Sequence, residues 1–484
     1  MGPGKRVGFV LGASVAIFML FLPAPGGLSP EAWRTAAVGS LMAIWWITEA
    51  LPIPATALVP LVLFPLLGIL SMSAAAAPFA NETIFLFMGG FIIAAAMESS
   101  GLHKRIAVVI IRKVGMRPAN LIGGFMAATA FISLWVSNTA TVVMVLPMAN
   151  SVIDAIEDGS SDRAGHRNFS IALLLGIAYA ASIGGVGTLI GTPPTALLAA
   201  FMSESYGIQI GFGQWMLVGI PVVIVGLPLS WLLLTRVLHP VGRTTREQDT
   251  EIREAFQRVA SALGPMSRAE ITVATITTIT AIAWVIRPLI EAFLPGISDA
   301  GIAMTGALAM FLIPVNWKRG EFALRWEEAD RIPWAILVLF GGGLSLAAAV
   351  QSTGLAEGIG NAMAGLGSWP IPALVFAVTL IVILLTELTS NTATAATFLP
   401  IVASVSIGLG NSPMLLAAPA AMAAGLSFMM PVGTPPNALV FATGRLSIPL
   451  MARAGFLLNV LFAILIQIAT FAIALRVLDF TTGG

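Results

Sequence analysis

Long apolar runs with almost no charge recur along this 484-residue chain, and they constrain its fold more than any other feature. Residues 169–203, for example, contain no Lys, Arg, Asp or Glu. A helix that crosses a membrane needs about 20 predominantly apolar residues. Charged residues make up 10% of the chain, whereas a soluble domain carries roughly 25% because its surface must meet water. The sequence therefore predicts an all-α polytopic membrane protein whose main solvent is the lipid bilayer.

The apolar runs divide into eleven predicted crossing helices and two segments of a different kind. Segments 119–157 and 370–408 are each long enough to cross twice, yet a polar Ser-Asn-Thr interrupts each one midway. We interpret both as re-entrant helical hairpins, which enter and leave the membrane on the same side. The eleven crossing helices are predicted near 7–23, 34–50, 53–71, 83–100, 169–203, 214–236, 269–290, 299–315, 332–350, 413–443 and 452–478.

The positions of Lys and Arg test this topology, because cytoplasmic loops carry an excess of positive charge. With the N-terminus in the cytoplasm, 21 of the 24 basic residues fall inside, and only Arg34, Arg287 and Arg476 fall outside. A hairpin that crossed would put later basic loops, such as 316–331, on the wrong side. We therefore predict an inner (plasma) membrane protein with a cytoplasmic N-terminus and an external C-terminus. Residues 237–268, which include Arg243, Arg246, Arg253 and Arg258, are predicted to form a cytoplasmic connector.

An internal repeat relates the two halves of the chain. Residues 86–102 and 339–355 are identical at ten of 17 positions, at an offset of 253. The same offset carries the Ser-Asn-Thr-Ala-Thr at 137–141 onto the one at 390–394. A third match, Gly-Thr-Pro-Pro at 191–194 and again at 433–436, has an offset of 242. Three matched blocks in the same order indicate duplication rather than chance.

The flanking charges indicate that the two copies are inverted. Basic residues such as Lys104 and Arg105 follow the first block, whereas Glu357 and no Lys or Arg follow the second. Equivalent segments would then lie on opposite faces of the membrane. Inverted repeats place substrate and coupling ions near the midplane between discontinuous helices. This arrangement favours a secondary transporter over an enzyme.

The two motif pairs predict the chemistry of the site. Prolines lack a backbone N–H and glycine allows unusual dihedral angles, so each Gly-Thr-Pro-Pro is predicted to split its helix, 169–203 or 413–443. The freed carbonyls suit a small cation, and the N-terminus of the next half-helix suits a carboxylate. Asn, Ser and Thr both donate and accept hydrogen bonds. Neither motif pair contains Lys, Arg or His, so co-transported Na⁺ would supply the charge that a buried anion needs.

Other residues exclude or weaken competing functions. The chain has no Cys and no His-Glu-x-x-His, and we interpret its three His as loop residues, so a hydrolase centre is not predicted. A net charge of +1 gives no nucleic-acid footprint.

Glu387 lies three residues before a hairpin tip, where it either supports the tip or relays protons. We interpret Glu49 as an interfacial anchor. Glu98 is replaced by Gln351 in the second repeat.

The paired motifs, together with the Trp-Trp-Ile-Thr-Glu-Ala-Leu-Pro stretch at 45–52, resemble the divalent anion/sodium symporter family. This is the dicarboxylate, citrate and sulfate carrier group that includes the INDY proteins, and the resemblance runs from about residue 30 to 478. It implies a homodimer in which a scaffold holds the dimer and a transport domain moves like an elevator. The implied units are 1–118 and 269–369 for the scaffold and 119–236 and 370–484 for the transport domain.

The resemblance also implies two sodium sites and one substrate site, matched motif by motif. The first sodium site comprises Ser133, Ser137, Asn138 and the Gly191 carbonyl. The second sodium site comprises Thr386, Thr389, Asn391 and the Gly433 carbonyl. The substrate carboxylates would contact Asn138, Thr139, Thr192, Pro193, Ser390, Asn391, Thr392, Thr434 and Pro435. One departure concerns the residue after the double proline, which is often Asn in the family, as at Asn437, but is Thr195 in the first repeat.

The function implied is sodium-coupled symport of a C4-type dicarboxylate such as succinate, malate or fumarate, with no enzymatic cofactor. A sodium-independent dicarboxylate exchanger is the nearest alternative, followed by a sulfate or citrate carrier. A channel is disfavoured because the re-entrant segments form a pair within one chain, rather than identical loops around an axis.

Overall fold

The computed structural model describes residues 2–478 apart from 116, 159–162, 242–253, 255, 258 and 259. Nearly half of the connector at 237–268, including Arg243, Arg246, Arg253 and Arg258, therefore lies outside the described residues. A small hairpin of two strands, Pro314–Asn316 and Glu321–Phe322, interrupts a mostly helical chain. The α-helices are Pro3–Phe21, Pro30–Ile47, Ile53–Thr56, Val59–Leu66, Met72–Ala76, Glu82–Ser100, Leu102–Val114, Pro118–Ser133, Asn138–Asp158, Arg163–Gly185, Pro193–Tyr206, Phe212–Leu232, Arg268–Val285, Arg287–Glu291, Asp299–Leu312, Trp326–Ala329, Trp334–Ser352, Leu355–Ala362, Ile371–Thr386, Asn391–Gly408, Met414–Ala424, Pro435–Phe441, Ile448–Ala469 and Leu475–Val477.

Short helical segments of other types complete the chain. Two π-helical segments extend long helices at their C-terminal ends, Leu233–Leu238 and Thr470–Ala474. Single 3₁₀ turns lie at Ala77–Ala80, Trp317–Arg319 and Ala364–Ser368.

Both predicted hairpins are pairs of helices that meet at a Ser-Asn-Thr. The arms are Pro118–Ser133 and Asn138–Asp158 in the first, and Ile371–Thr386 and Asn391–Gly408 in the second. We call residues 137–139 the first tip and residues 390–392 the second tip. Each arm begins at or beside a Pro, or with the Asn of the tip, because these residues suit the first turn of a helix.

Both helices that carry Gly-Thr-Pro-Pro are broken. The first break, residues 186–192, separates Arg163–Gly185 from Pro193–Tyr206. The second break, residues 425–434, separates Met414–Ala424 from Pro435–Phe441. The helix resumes in each case at the first proline, which occupies a position where a missing N–H costs nothing.

Equivalent positions of the repeat share backbone conformation. Gly101 has φ 77° and ψ 6°, and Gly354, its equivalent in the second block, has φ 78° and ψ 10°. Both end a long helix in the left-handed region that glycine adopts without steric cost. Thr192 and Thr434, which are equivalent in the Gly-Thr-Pro-Pro match, both have φ −142°, with ψ 138° and 150°. The duplicated sequence thus produces duplicated local structure.

The two halves interlock around the breaks. Each hairpin packs on the first half of its own broken helix. Beyond the break, Pro193–Tyr206 packs against Asn391–Gly408 and Met414–Ala424 of the second repeat. Reciprocally, Pro435–Phe441 packs against Arg163–Gly185 and Asn138–Asp158 of the first repeat. Both breaks therefore lie in the contact region between the repeats.

Burial separates central from peripheral helices. Every residue of Met414–Ala424 is buried, and 94% of the apolar window in Gly165–Gly185 is buried. Helices that are apolar all round belong in a core surrounded by protein. Only 17% of the corresponding window of Pro3–Phe21 is buried, so this helix lies at the edge of the protein with most of its apolar side chains exposed.

The structure differs from the sequence prediction at several elements. The predicted helix 53–71 is divided into Ile53–Thr56 and Val59–Leu66, because Pro54 and Pro60 each start a new first turn. The predicted helix 269–290 is interrupted at Ile286, one residue before a Pro-containing short helix. The basic segment after the first repeat block forms a helix, Leu102–Val114, with apolar residues on one side.

The prediction that all three His lie in loops was wrong. His103 lies in the Leu102–Val114 helix, is 6% exposed, and its Nδ1 lies 2.5 Å from the Met97 carbonyl oxygen. His166 lies in the first turns of Arg163–Gly185. Lys104 and Arg105 follow His103 in the sequence but belong to the more exposed side of an amphipathic helix. Because these charged residues adjoin His103 in the sequence, the segment was predicted to be a loop.

Within the described ranges, seven helices are long and apolar enough to cross a membrane. Shorter apolar helices include Ile53–Leu66, Asp299–Leu312 and Met414–Ala424. The arm Asn391–Gly408 is among the seven, although we predict that it re-enters. Length and composition thus support a multi-pass membrane protein, while the predicted total of eleven crossing helices stays a prediction.

Candidate functional site

Four groups converge where the first hairpin meets the first break. The terminal amide of Asn138 has one atom 2.5 Å from Ser133 Oγ, 3.1 Å from the Ala181 carbonyl and 3.3 Å from the Gly191 carbonyl. The amide nitrogen fits that position because all three neighbours are oxygens. A 180° rotation of the Asn138 amide would instead place its oxygen there, so that four oxygens would face one another. We call Ser133, Asn138, Ala181 and Gly191 the first oxygen cluster.

Glycine at position 185 makes room for this cluster. A Cβ atom built on Gly185 would lie 2.6 Å from the nearer terminal atom of the Asn138 amide and 3.2 Å from the Gly191 carbonyl oxygen. Real Cβ atoms do not approach such atoms so closely, so a larger residue here would displace the cluster. The sequence analysis did not select Gly185. Its only signal was that it stands six residues before the Gly191 of the break.

The second hairpin repeats the arrangement. Thr386 Oγ1 lies 2.7 Å from Asn391 Oδ1 and 3.1 Å from the Ala424 carbonyl, as Ser133 lies beside Asn138 and Ala181. Gly433 packs beside this group, since a Cβ built on it would be 3.2 Å from the Glu387 carbonyl oxygen. We call Thr386, Asn391 and Ala424 the second oxygen cluster. Ser133 and Thr386 are related by the same offset as the two tips, so the clusters occupy equivalent positions of the repeat.

Two of the predicted sodium ligands make other hydrogen bonds. The Ser137 hydroxyl accepts from the Ala140 backbone N–H at 3.3 Å, which caps the start of the second hairpin arm. The Thr389 hydroxyl lies 2.9 Å from the Leu385 carbonyl and 2.6 Å from the Thr394 hydroxyl. These contacts hold each tip together.

The predicted substrate residues at the breaks begin helices. Thr192 and Thr434 are both buried N-cap residues, followed by Pro193 and Pro435 at the first helical positions. The Thr434 hydroxyl accepts from the Asn437 N–H at 3.2 Å.

Thr195 and Asn437, the residues that differ after the double proline, brace their loops in the same way. The Thr195 hydroxyl lies 2.9 Å from the Thr192 carbonyl and 3.3 Å from the carbonyls of Thr188 and Leu189. The Asn437 amide donates to the carbonyls of Ser427 and Met430 at 3.2 and 3.1 Å. Both side chains satisfy carbonyls inside a break, so Thr replaces Asn without losing this role.

A carboxylate lies directly beside the second oxygen cluster. Glu387 follows Thr386, is 3% exposed, and accepts hydrogen bonds from the loop of the second break. This geometry supports the interpretation that Glu387 holds the tip in place.

A cavity of about 560 Å³ reaches the second tip. Its lining includes Ser390 and Thr392 of the tip together with Lys5 and Glu49. Lys5 Nζ lies 3.1 Å from Glu49 Oε2, and both side chains are about half exposed. Glu49 is also the only described residue other than glycine with positive φ, at 47°. The sequence analysis missed this approach, because Lys5 stands near the start of the chain while the tip belongs to its second half.

The two oxygen clusters contain no cationic side chain. In the described part of the chain, no ion pair joins Lys, Arg or His to either tip, and no group of three His, Asp or Glu residues could hold a metal ion. Neutral carbonyl, hydroxyl and amide oxygens are ligands that hard monovalent and divalent cations accept. The geometry therefore suits a small cation held without a dedicated carboxylate cage.

Comparison with known proteins gives relatives across the whole chain. The chain is 38% identical over 475 residues to the sodium-dependent dicarboxylate transporter SdcS of Staphylococcus saprophyticus, covering 97% of this chain and 91% of that protein. It is 39% identical over 482 residues to SdcS of Staphylococcus aureus strain bovine RF122, with the same coverage. These relatives are transporters and not enzymes, as the sequence analysis predicted for this chain.

Solved structures show the same fold at low sequence identity. The YdaH transporter of Alcanivorax borkumensis aligns with a TM-score of 0.54 at 13% identity, covering 98% of each chain. MtrF of Neisseria gonorrhoeae aligns with a TM-score of 0.54 at 12% identity, covering 98% of this chain and 94% of MtrF. Residues 5–478 match the family of the sodium:sulfate symporter transmembrane region. The chain therefore belongs to this family, which confirms the resemblance carried by its paired tips and breaks.

Proposed function

We propose that this protein is a sodium-coupled secondary active transporter that carries C4-type dicarboxylates, such as succinate, malate or fumarate, together with Na⁺. The observation that carries the proposal is the pair of equivalent oxygen clusters, one beside each tip. The curated relatives, named as sodium-dependent dicarboxylate transporters, supply the substrate class.

Each oxygen cluster is proposed as a Na⁺ site. In the first, Asn138 turns its amide oxygen toward Ser133 Oγ and the Gly191 carbonyl, and the cation replaces the hydrogen bonds that the amide nitrogen donates. In the second, Asn391 already turns its amide oxygen toward the Thr386 hydroxyl, which donates to it at 2.7 Å, and the cation would bind these oxygens together with the Gly433 carbonyl. Ser137 and Thr389 are proposed as the remaining ligand of the first and of the second site. In the first cluster, the cation would compensate the repulsion between the rotated amide oxygen and the neighbouring carbonyl oxygens.

The substrate is proposed to bind at the two tips and the starts of the two half-helices. Its carboxylates would accept hydrogen bonds from the side chains and backbone of Asn138, Thr139, Ser390, Asn391 and Thr392, with Thr192, Pro193, Thr434 and Pro435 shaping the contact. No Lys, Arg or His bonds to these residues in the described part of the chain. A buried dianion without such partners is costly. Two bound Na⁺ ions would compensate its charge, and this requirement couples the two flows.

The elevator mechanism is proposed from the way the site is assembled. Both clusters belong to the hairpins and broken helices, and these elements interlock reciprocally. They can therefore move as one body, the proposed transport domain of 119–236 and 370–484. Residues 1–118 and 269–369 would form the scaffold and hold a homodimer. A detergent-solubilised particle with about twice the chain mass of 50.3 kDa is the expected result for the dimer.

Radiolabelled succinate uptake into proteoliposomes tests the function. We expect uptake with an inward Na⁺ gradient and none with an equal K⁺ or choline gradient. Uptake that needs internal dicarboxylate but no Na⁺ would establish an exchanger instead. Unlabelled sulfate and citrate added as competitors distinguish the substrates, because the family description names sulfate while the curated relatives carry the name of dicarboxylate transporters. Na⁺-driven uptake of labelled sulfate, with no uptake of succinate, would replace the dicarboxylate assignment.

A further inference from the structure

The side chain of Glu387 is enclosed by hydrogen-bond donors. It is 3% exposed and lies between the second hairpin and the second break. Both carboxylate oxygens are bonded to the same loop. The donors are the Ser427 hydroxyl at 2.8 Å, the backbone N–H groups of Phe428, Met429 and Met430 at 2.7 to 3.0 Å, and the Asn459 amide at 2.8 Å.

This set of partners is complementary to an ionised carboxylate. Backbone and amide N–H groups only donate, whereas a protonated acid needs an acceptor for its own hydrogen. Successive backbone N–H groups that point to one spot form a concave anion site. Glu387 thus carries a negative charge in the interior of the protein.

Among the described residues, no ion pair joins a cationic side chain to this carboxylate. The ion pairs of the described residues lie elsewhere, between partners such as Lys5 and Glu49 or Arg105 and Glu270. A buried charge without a partner attracts any mobile cation that can approach it. The nearest proposed cation position is the second oxygen cluster.

Glu387 adjoins that cluster along the chain and contacts the second break beside it. Glu387 is bonded along the chain to Thr386, whose hydroxyl belongs to the cluster. A Cβ built on Gly433 would lie 3.2 Å from Glu387 Oε2, so the carboxylate also touches the residue whose carbonyl is the proposed ligand. The charge therefore lies beside both sides of the second site.

The first repeat has no such charge. The offset of 253 places Leu134 opposite Glu387, and the offset of 242 places Gly185 opposite Ser427. There the loop is held by a neutral hydroxyl, since Thr188 Oγ1 donates to the Leu134 carbonyl at 2.6 Å and accepts from Gly191 N at 3.1 Å. Two clusters of like geometry thus lie in unlike electrostatic fields.

We infer that Glu387 is a positioning residue that makes the two cation sites unequal: its charge renders the second site the tighter one, which fills first. This inference rests on the proposed function. At an effective dielectric constant of about 20, a unit charge about 6 to 12 Å from a cation changes its affinity by about 100-fold to about tenfold. The surrounding donors weaken that field, so we expect a difference of about tenfold between the sites.

A matched pair of variants tests the order of filling. Ser133→Ala and Thr386→Ala each remove the equivalent hydroxyl from one cluster of the full chain. Na⁺ binding is followed without substrate, as the rise in melting temperature of the purified protein with NaCl over equal KCl. We expect Thr386→Ala to raise the Na⁺ concentration for half the effect about tenfold, and Ser133→Ala to leave the first, tighter phase in place. The reverse result, or equal shifts, would overturn the inference.

Glu387→Gln tests the charge itself. Its half-effect Na⁺ concentration should rise about tenfold, while Glu387→Asp should recover most of the affinity. Asp299→Asn is the control, because Asp299 is also a buried carboxylate but pairs with Arg287 away from the tips. An unchanged Na⁺ response in Glu387→Gln would refute the role of the charge. If Glu387→Gln does not fold, the Ser133 and Thr386 pair still decides. Wild-type protein without any Na⁺ response would instead refute the proposed function.

Discussion

At the scale of single residues, each oxygen cluster depends on one asparagine that can present either its oxygen or its nitrogen. We predict that Asn138→Ala and Asn391→Ala each lower succinate uptake more than tenfold, because each removes the side-chain oxygen that completes a cation site. Uptake at a fixed Na⁺ gradient measures this. Asn411→Ala is the control, since the Asn411 side chain donates to the Leu409 carbonyl at the end of a hairpin arm. Normal uptake in both tip variants would refute the site assignment.

The residues that brace the breaks are predicted to differ in their contribution to stability. The Asn437 amide has two hydrogens for two buried carbonyls, whereas the Thr195 hydroxyl has one hydrogen for three. A buried acceptor left without a donor costs about 1–3 kcal/mol. Asn437→Ala should therefore lower the melting temperature more than Thr195→Ala does. Equal melting temperatures for the two purified variants would show that the hydrogen-bond inventory does not set the stability of these loops.

The polar residues of the candidate site could be predicted from the sequence more readily than their hydrogen-bond partners. Asn138 and Asn391 stand out because polar residues are rare within apolar runs, and the fixed offsets of the repeat relate them. The sequence indicated that Glu387 supports the tip or relays protons, but its partners could not be predicted. They include three backbone N–H groups of apolar residues, and a backbone donor has no signature in the residue type. The carbonyl groups of Ala181 and Ala424 in the oxygen clusters were missed for the same reason.

At the scale of elements, close packing of the first break against the first hairpin depends on a residue without a side chain. We predict that Gly185→Ala abolishes Na⁺-dependent uptake, because the added methyl group would push Asn138 away from the Gly191 carbonyl. Gly343→Ala is the matched control, since a Cβ there would have ordinary contacts at 3.6 Å. The test compares uptake in both variants after size-exclusion chromatography shows that they are folded. Full activity in Gly185→Ala would mean that the cluster does not need its present geometry.

The bounds of the two hairpins could be predicted, because a polar Ser-Asn-Thr interrupts each apolar run and the sequence repeat relates the two runs. The hairpins predicted at 119–157 and 370–408 begin and end within one residue of the helices observed. Hydropathy alone failed at 53–71, where a uniformly apolar run gave no sign that prolines would divide the helix. It failed again at Leu102–Val114, because a helix that is basic on one side has the average hydropathy of a loop.

At the scale of the whole molecule, the cavity at the second tip predicts which face of the membrane has access to the site. The chain contains no Cys, so single cysteines can be introduced without a background. Lys5 and Thr392 both line this cavity. We predict that Lys5→Cys and Thr392→Cys react with a membrane-impermeant maleimide from the same side, the cytoplasmic one.

A third cysteine gives the comparison for the opposite face. Phe293 is 85% exposed and lies near Arg287, which the positive-inside rule places outside. Phe293→Cys should therefore react in intact cells, whereas Lys5→Cys and Thr392→Cys should react only in inverted vesicles. Reaction of Thr392→Cys and Phe293→Cys from one side would contradict the orientation. Reaction of Thr392→Cys from both sides would instead be evidence of movement, because the proposed elevator mechanism would expose the tips alternately to the two solutions.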